Sequence, residues 1–281
     1  MVEPSEKLRR NTSSVRVTAV KGAFVSERPD RLATEEPMEI RVSGPGQEAA
    51  SVAVTMRTPG GDFELAAGFL FTEGLVSGRD EVAGVSYCED LPDDEQLFNV
   101  VTVRLNRPWD ADAAKRNFYA TSSCGICGKA SLDEVEVHCS PVAAGPRVSA
   151  DVVRSLPDKL REGQRVFDQT GGLHAAGLFD AEGVLVSLRE DVGRHNAVDK
   201  LVGEALLADA LPLTDRVLQV SGRISFEIVQ KAAMGGISII SAISAPSSLA
   251  VEAAERLGVT VLGFVRDDRF NIYSNPQRLV M

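Results

Sequence analysis

Between Val217 and Val265 the chain alternates short β-branched runs with helical stretches, and almost nothing separates them. Val217–Val220 predicts a strand. Ile224–Met234 predicts a helix closed by Gly235-Gly236, a good C-terminal stop. Ile237–Ser241 is a second strand, Leu249–Leu257 a second helix ending at Gly258, and Val259–Val265 a third strand. A β-α-β-α-β order with short connections leaves few folds open. It predicts a parallel sheet with right-handed crossovers. Upstream, Leu173–Asp180 and Val184–Leu188 flank Ala181-Glu182-Gly183, a hairpin turn. Asn196–Ala208 predicts an amphipathic helix with Val198, Leu201, Val202, Ala205 and Leu206 on its buried side. Val148–Arg165 predicts a helix broken near Pro157 and linking two domains.

The first half is built differently. Val15–Val20, Met38–Val42, Val52–Arg57, Val82–Tyr87 and Leu97–Leu105 predict strands with mostly antiparallel pairing. Thr58-Pro59-Gly60-Gly61 interrupts them as a turn, and Asp62–Thr72 predicts a helix. Arg107–Lys129 predicts a long loop, or a loop leading into a short helix. The expected plan is therefore α/β with an α+β start. Residues 1–14 form a disordered lead, 15–147 a smaller α+β domain and 148–281 a larger α/β domain. A chain of 281 residues, 44% apolar and 25% charged, has enough material for these cores. No apolar run approaches the roughly 20 residues that span a bilayer, so no membrane role is expected. The polar start lacks a secretory signal, which points to the cytoplasm. A net charge of −10 argues against a general nucleic-acid surface, and four cysteines are too few for a disulfide scaffold.

In open α/β sheets ligands bind beyond the carboxyl ends of the strands. Here those ends carry the distinctive polar runs. Glu190-Asp-Val-Gly193-Arg194-His195 follows one strand, and Ser221-Gly222-Arg223 follows another. Ser244 opens a third corner, and Arg266-Asp267-Asp268-Arg269 makes the fourth. Three of the four corners open helices, whose N-termini suit anions, and the arginines can clamp phosphate. An anionic, nucleotide-like small ligand is expected at this edge. None of the runs is a Walker A loop or a G-x-G-x-x-G, and surface turns with salt-bridged arginines are the plainer reading of any single corner. Thr170-Gly171-Gly172-Leu173-His174 adds a histidine that is a base, a ligand contact or a core residue.

Cys124-Gly-Ile-Cys127 lies in a run of small residues beside Lys129. A thiol pair at this spacing performs redox exchange, holds half a zinc site or carries persulfide sulfur. Zinc needs four ligands, and His138 with Cys139 are the nearest candidates for the other two. A persulfide carrier needs an accessible thiolate, which Lys129 and local N–H groups favour. A second thiol can then release the sulfur as a disulfide closes. The residues alone leave all three open. Cys88 and Cys139 are expected to be buried structural thiols.

Thr121-Ser-Ser-Cys-Gly-Ile-Cys-Gly128, Thr170-Gly-Gly-Leu-His-Ala-Ala176 and Glu190-Asp-Val-Gly-Arg-His-Asn-Ala-Val-Asp-Lys200 together carry a resemblance. Ser221-Gly-Arg-Ile-Ser-Phe-Glu227, Ser244-Ala-Pro-Ser-Ser-Leu-Ala250 and the stretch from Gly263 to Tyr273 extend it along most of the chain. In these runs the chain resembles the formate dehydrogenase accessory sulfurtransferases, the FdhD/NarQ family. The resemblance implies a carrier that accepts sulfur from a cysteine desulfurase. It passes the sulfur to the molybdenum (or tungsten) bis(molybdopterin guanine dinucleotide) cofactor of formate dehydrogenase. It implies that Cys124 bears the persulfide with Cys127 as its partner. It also implies that Phe264, Val265, Arg266, Asp267, Asp268 and Arg269 bind the cofactor, which guanosine diphosphate would mimic. Gly193, Arg194, His195, Ser221, Gly222, Arg223 and Ser244 are expected to line the same site. A homodimer and a cytidine deaminase-like three-layer α/β domain are further implications. The deaminase zinc site is not expected, because its H-x-E is replaced by His174-Ala-Ala176 and no P-C-x-x-C follows. A cofactor-holding chaperone without sulfur chemistry is the alternative function.

Overall fold

The computed structural model describes residues 10–88, 98–110 and 139–281. The described chain opens with a hairpin of β1 (Thr12–Lys21) and β2 (Phe24–Ala33), which among the described residues pair only with each other. β1 starts three residues before the expected strand. β2 was not foreseen, because Ser26-Glu-Arg-Pro-Asp-Arg31 is polar and holds a proline. A four-stranded sheet follows in the order β4-β3-β6-β5, from β3 (Glu36–Ser43), β4 (Ala50–Arg57), β5 (Val82–Tyr87) and β6 (Val100–Leu105). β3–β4 and β5–β6 are antiparallel, and β3–β6 is parallel.

α1 (Asp62–Thr72) starts at Gly61, whose φ of 67° suits glycine, with Asp62 and Glu64 complementing the dipole of the first turn. It serves two cores at once. Leu65, Ala66 and Leu70 pack with Met38, Ile40 and Val101 of the four-stranded sheet. Ala67 and Phe71 pack into the core of the second half.

That second half contains β7 (Val148–Ser149), α2 (Ala150–Gly163), α3 (Arg165–Thr170), β8 (His174–Phe179), β9 (Leu185–Asp191) and α4 (Arg194–Leu207). It continues with β10 (Val217–Val220), α5 (Phe226–Met234), β11 (Ile239–Ala242), α6 (Ser248–Leu257), β12 (Thr260–Arg266), β13 (Arg269–Ser274) and β14 (Leu279–Val280). The main sheet has the order β13-β12-β11-β10-β8-β9. β10, β11 and β12 are parallel as expected, while β8 and β13 run the other way. Alternate strand residues face opposite helix layers. Leu218, Val220 and Ile240 pack against α4, α5 and α6, whereas Val217, Ile239 and Leu262 pack against Val153, Leu156 and Leu160 of α2.

Two expectations need correction. α2 runs through Pro157 without a break. The proline forfeits its own helical N–H bond, but Val153, Leu156, Pro157 and Leu160 are all buried and hold the helix on the sheet. α4 is not amphipathic, because Asn196, Asp199 and Lys200 are buried along with its apolar residues. It lies between the main sheet and α1. A Cβ on Gly68 would stand 1.9 Å from the Asp199 carbonyl oxygen, and one on Gly203 would stand 1.8 Å from that of Glu64. The two helices therefore cross backbone to backbone. Ion pairs flank the crossing: Arg189 to Glu64 and Glu204, and Lys231 to Glu73 and Asp199.

Candidate functional site

β8 pairs antiparallel with both β9 and β10. The carboxyl ends of β9, β10, β11 and β12 therefore share one edge of the main sheet, as the sequence predicts. His174 reaches that edge too, because it pairs with Asp191.

The first corner is fixed from below by a buried carboxylate. Asp191 Oδ1 accepts from Gly193 N (2.8 Å) and Asn196 Nδ2 (2.9 Å). Its Oδ2 accepts from Thr58 N (3.1 Å) and Lys200 Nζ (2.7 Å). Lys200 also donates to the Thr58 carbonyl at 3.0 Å. The turn Thr58–Gly61 thus docks on the start of α4, and Gly193 is locked as its N-cap. Glu190 accepts from Val166 N and Phe167 N, which secures the first turn of α3.

Above this base Arg194 and His174 converge on Gly222. A Cβ on Gly222 would lie 3.3 Å from His174 Nδ1 and 3.8 Å from Arg194 Cδ. The absent side chain is what lets them close in. Arg194 Nε is shielded from solvent and has no hydrogen-bond partner among the described residues. A buried guanidinium N–H without an acceptor is costly, and an anion at this edge would satisfy it. His195 Nε2 lies 3.1 Å from Ser225 Oγ and 3.9 Å from a Glu227 carboxylate oxygen. Burial, and then the charge of Arg194, push the His195 pKa down to about 4, with Glu227 opposing. Burial and Arg194 also lower His174. Both rings are neutral near pH 7, so each offers one donor and one acceptor.

The remaining corners are stitched side by side. Ile224 N donates to the Ala245 carbonyl, and Ser247 N to that of Ile224. Phe264 N donates to the Ser244 carbonyl at 3.2 Å. Phe264 has a φ of 54° where the β12–β13 ladder shifts register, an unusual conformation for a bulky residue. The Arg266 guanidinium stands 6.0 Å from its ring centroid. Arg266, Asp267, Asp268 and Arg269 are exposed at the hairpin turn, and Arg223 is also exposed. Ser221 Oγ accepts from Ala175 N and so completes the β8–β10 edge.

The Val265 side chain is fully buried in the core against α2, because alternation turns it away from its neighbours. Cys88 is a correction, being half-buried, whereas Cys139 is buried. Burial pushes the Cys139 thiol up to about 11, with Glu73 adding to the effect, so it is a poor source of metal-binding thiolate. Cys124, Cys127, Lys129 and His138 lie outside the described residues. Among the described residues no group of three His, Cys, Asp or Glu side chains is placed to hold a metal ion.

Sequence reasoning missed Asp191, Asn196, Asp199 and Lys200. Burial of Asp199 and Lys200 had a sequence signal, since both sit between Val198 and Leu201 in the stretch assigned to the core, but their partners did not. A cavity of about 640 Å³ lies at the far end of α4, lined by Phe71, Arg79, Asp80, Leu206, Pro212 and Met234. Among the described residues, none of the sequence-derived site residues lines it.

The FdhD/NarQ family model matches residues 33–280. The chain belongs to this family. It is 51% identical over 275 residues to the sulfur carrier protein FdhD of Mycolicibacterium paratuberculosis, covering 95% of this chain and 98% of that one. It is 49% identical to the protein of the same name from Streptomyces avermitilis, covering 97% of each. The protein of the same name from Sulfurisphaera tokodaii is 46% identical, covering 95% of this chain and 98% of that one. A crystal structure from Desulfotalea psychrophila, of a protein proposed to be a formate dehydrogenase accessory protein, superposes with a TM-score of 0.74 at 25% identity. That match covers 96% of this chain and 99% of that one. No helix among the described residues is long and apolar enough to cross a membrane.

Proposed function

We propose that this FdhD/NarQ family member is a cytoplasmic sulfur carrier for formate dehydrogenase maturation. It takes sulfur from a cysteine desulfurase and delivers it to a molybdenum bis(molybdopterin guanine dinucleotide) substrate. The observation that carries the reading is the union, in one chain, of Cys124-Gly-Ile-Cys127 with a sheet edge where Arg194 and His174 meet around Gly222 and His195 sits beside Ser225. Near full-length similarity to proteins named sulfur carriers supports the chemistry.

In the proposed cycle the Cys124 thiolate attacks the outer sulfur of the desulfurase persulfide, and the desulfurase leaves as a thiol. Cys127 then attacks Cys124 Sγ, a disulfide forms, and hydrosulfide departs to the metal. A dithiol reductant resets the pair. Arg194, with Arg223, Arg266 and Arg269, is suited to phosphates of the guanosine diphosphate arms. The neutral His174 and His195 add hydrogen bonds without adding charge. The order β9-β8-β10-β11-β12, with helices on both faces, supports a cytidine deaminase-like architecture for residues 148–281.

The test is gel-shift trapping of a persulfide on Cys124 after incubation with a desulfurase and cysteine. Cys124→Ala is expected to remove the shift and to abolish formate dehydrogenase activity in a deletion strain. The chaperone alternative predicts the reverse: Cys124→Ala keeps full activity while Arg266→Ala and Arg269→Ala lose it. Guanosine diphosphate located away from this edge would overturn the site assignment.

A further inference from the structure

The helices that turn positive N-terminal ends toward the sheet edge also have negative ends. α4 and α5 start at that edge, at Arg194 and Phe226, and run away from it. Their last turns, together with that of α1, reach the cavity of about 640 Å³, where Leu206, Met234 and Phe71 form part of the wall. Three helix C-termini put partial negative charge at this end of the molecule. Asp80 and Asp209 also line the cavity, are exposed to solvent, and add two full charges. Neither forms an ion pair with another of the described residues. Among the described lining residues the only cation is Arg79, and it is already committed. It donates to the carbonyl of Leu207, the last residue of α4, and to that of Val82. The floor is apolar and dry, with Phe71, Val82 and Leu206 buried.

We propose that this cavity binds a small organic cation, a protonated amine carried on an apolar body. The buried floor takes the body, while Asp80, Asp209 and the helix ends take the charge. A concave, largely apolar wall with a few convergent polar groups is the usual form of a small-molecule site, and the volume suits a whole ligand. The same charges repel anions, so phosphates drawn to the sheet edge find no second seat here. A lysine or arginine side chain reaching in from a partner protein has the right charge but fills only part of the space. The site lies at the opposite end of α4 from Arg194 and His195, so it is separate from the sulfur-delivery edge.

The experiment is an NMR titration of the full chain, labelled at its methionine methyl groups, with phenethylamine near pH 7. The Met234 resonance, identified by its loss in Met234→Leu, is expected to move and saturate. That of Met56, exposed on β4 away from the cavity, is expected to stay. 2-Phenylethanol has the same shape without the charge and should bind at least about tenfold more weakly. Asp80→Asn with Asp209→Asn should weaken phenethylamine about tenfold and leave 2-phenylethanol unchanged. Asparagine tolerates the φ of 55° at position 209, so the turn is kept. The comparison of amine with alcohol needs no variant and stands even if the double variant fails to fold. A Met234 resonance unmoved at about 10 mM phenethylamine, or equal binding of amine and alcohol, overturns the proposal. So does tighter binding of the blocked peptide acetyl-Leu-Arg-Leu-amide, which would assign the cavity to a partner's side chain. The readout is independent of whether Cys124 carries sulfur.

Discussion

His195 shows how position sets the chemistry of a single residue. Its folded pKa of about 4 lies below the ordinary histidine value of 6.5. Between these pH values the unfolded chain binds a proton that the folded chain refuses, so stability is full above about pH 6.5 and falls as pH drops toward 4. A third of the side chain is exposed, which brings the effect to about 1–2 kcal/mol. His195→Gln should remove that increment from a urea-unfolding comparison at pH 7 and pH 4.5. An imidazole NMR titration with a midpoint near 6.5 would contradict it. Lys231 is the opposite kind of residue. Burial works against its charge, but Asp199 and Glu73 outweigh burial and raise its pKa. Lys231→Met strands two carboxylates and should cost about 3–5 kcal/mol in denaturant unfolding, while adding Asp199→Leu to it should recover part of the loss. Arg194 and His195 were legible in the sequence because they stand at a strand-to-helix corner. Asp191 and Lys200 were not, because their partner Thr58 is more than 130 residues away in the chain. The inward turn of the Val265 side chain was not legible, because a motif names every residue in a run, while a strand turns alternate ones inward.

At the scale of elements, the stretch from β10 to β12 was legible because propensity, punctuation by glycine and short connections agreed. β2 was hidden by its composition, since a polar strand outside any core has no apolar alternation to reveal it. The all-round burial of α4 was hidden for another reason. Its outer face is covered by α1, which pattern alone cannot foresee. Gly68 and Gly203 make that covering possible. Gly68→Ala pushes a methyl group into the Asp199 carbonyl and should cost at least about 2 kcal/mol, read as a lower denaturation midpoint. Gly258→Ala provides the comparison: its Cβ would meet nothing within 4 Å, so it tests backbone conformation alone.

At the scale of the whole molecule, the division into residues 15–147 and 148–281 follows the sheets but not the packing. One core contains Ala67 and Phe71 from α1 together with Val198, Leu201 and Ile228 from the second half. Residues 139–281 expressed alone should therefore lack a cooperative unfolding transition, and co-expression with residues 1–110 should restore one. A soluble, cooperatively folded fragment would refute the shared core. The α1–α4 crossing has a further consequence for sulfur delivery. The segment holding Cys124 and Cys127 leaves from Trp109, tied to Gln47 beside the first sheet, and rejoins at Cys139 in the shared core. Its two moorings stand on either side of a joint where backbone meets backbone. Moving the halves as jaws would break that backbone-to-backbone crossing, so the fold itself resists a hinge between them.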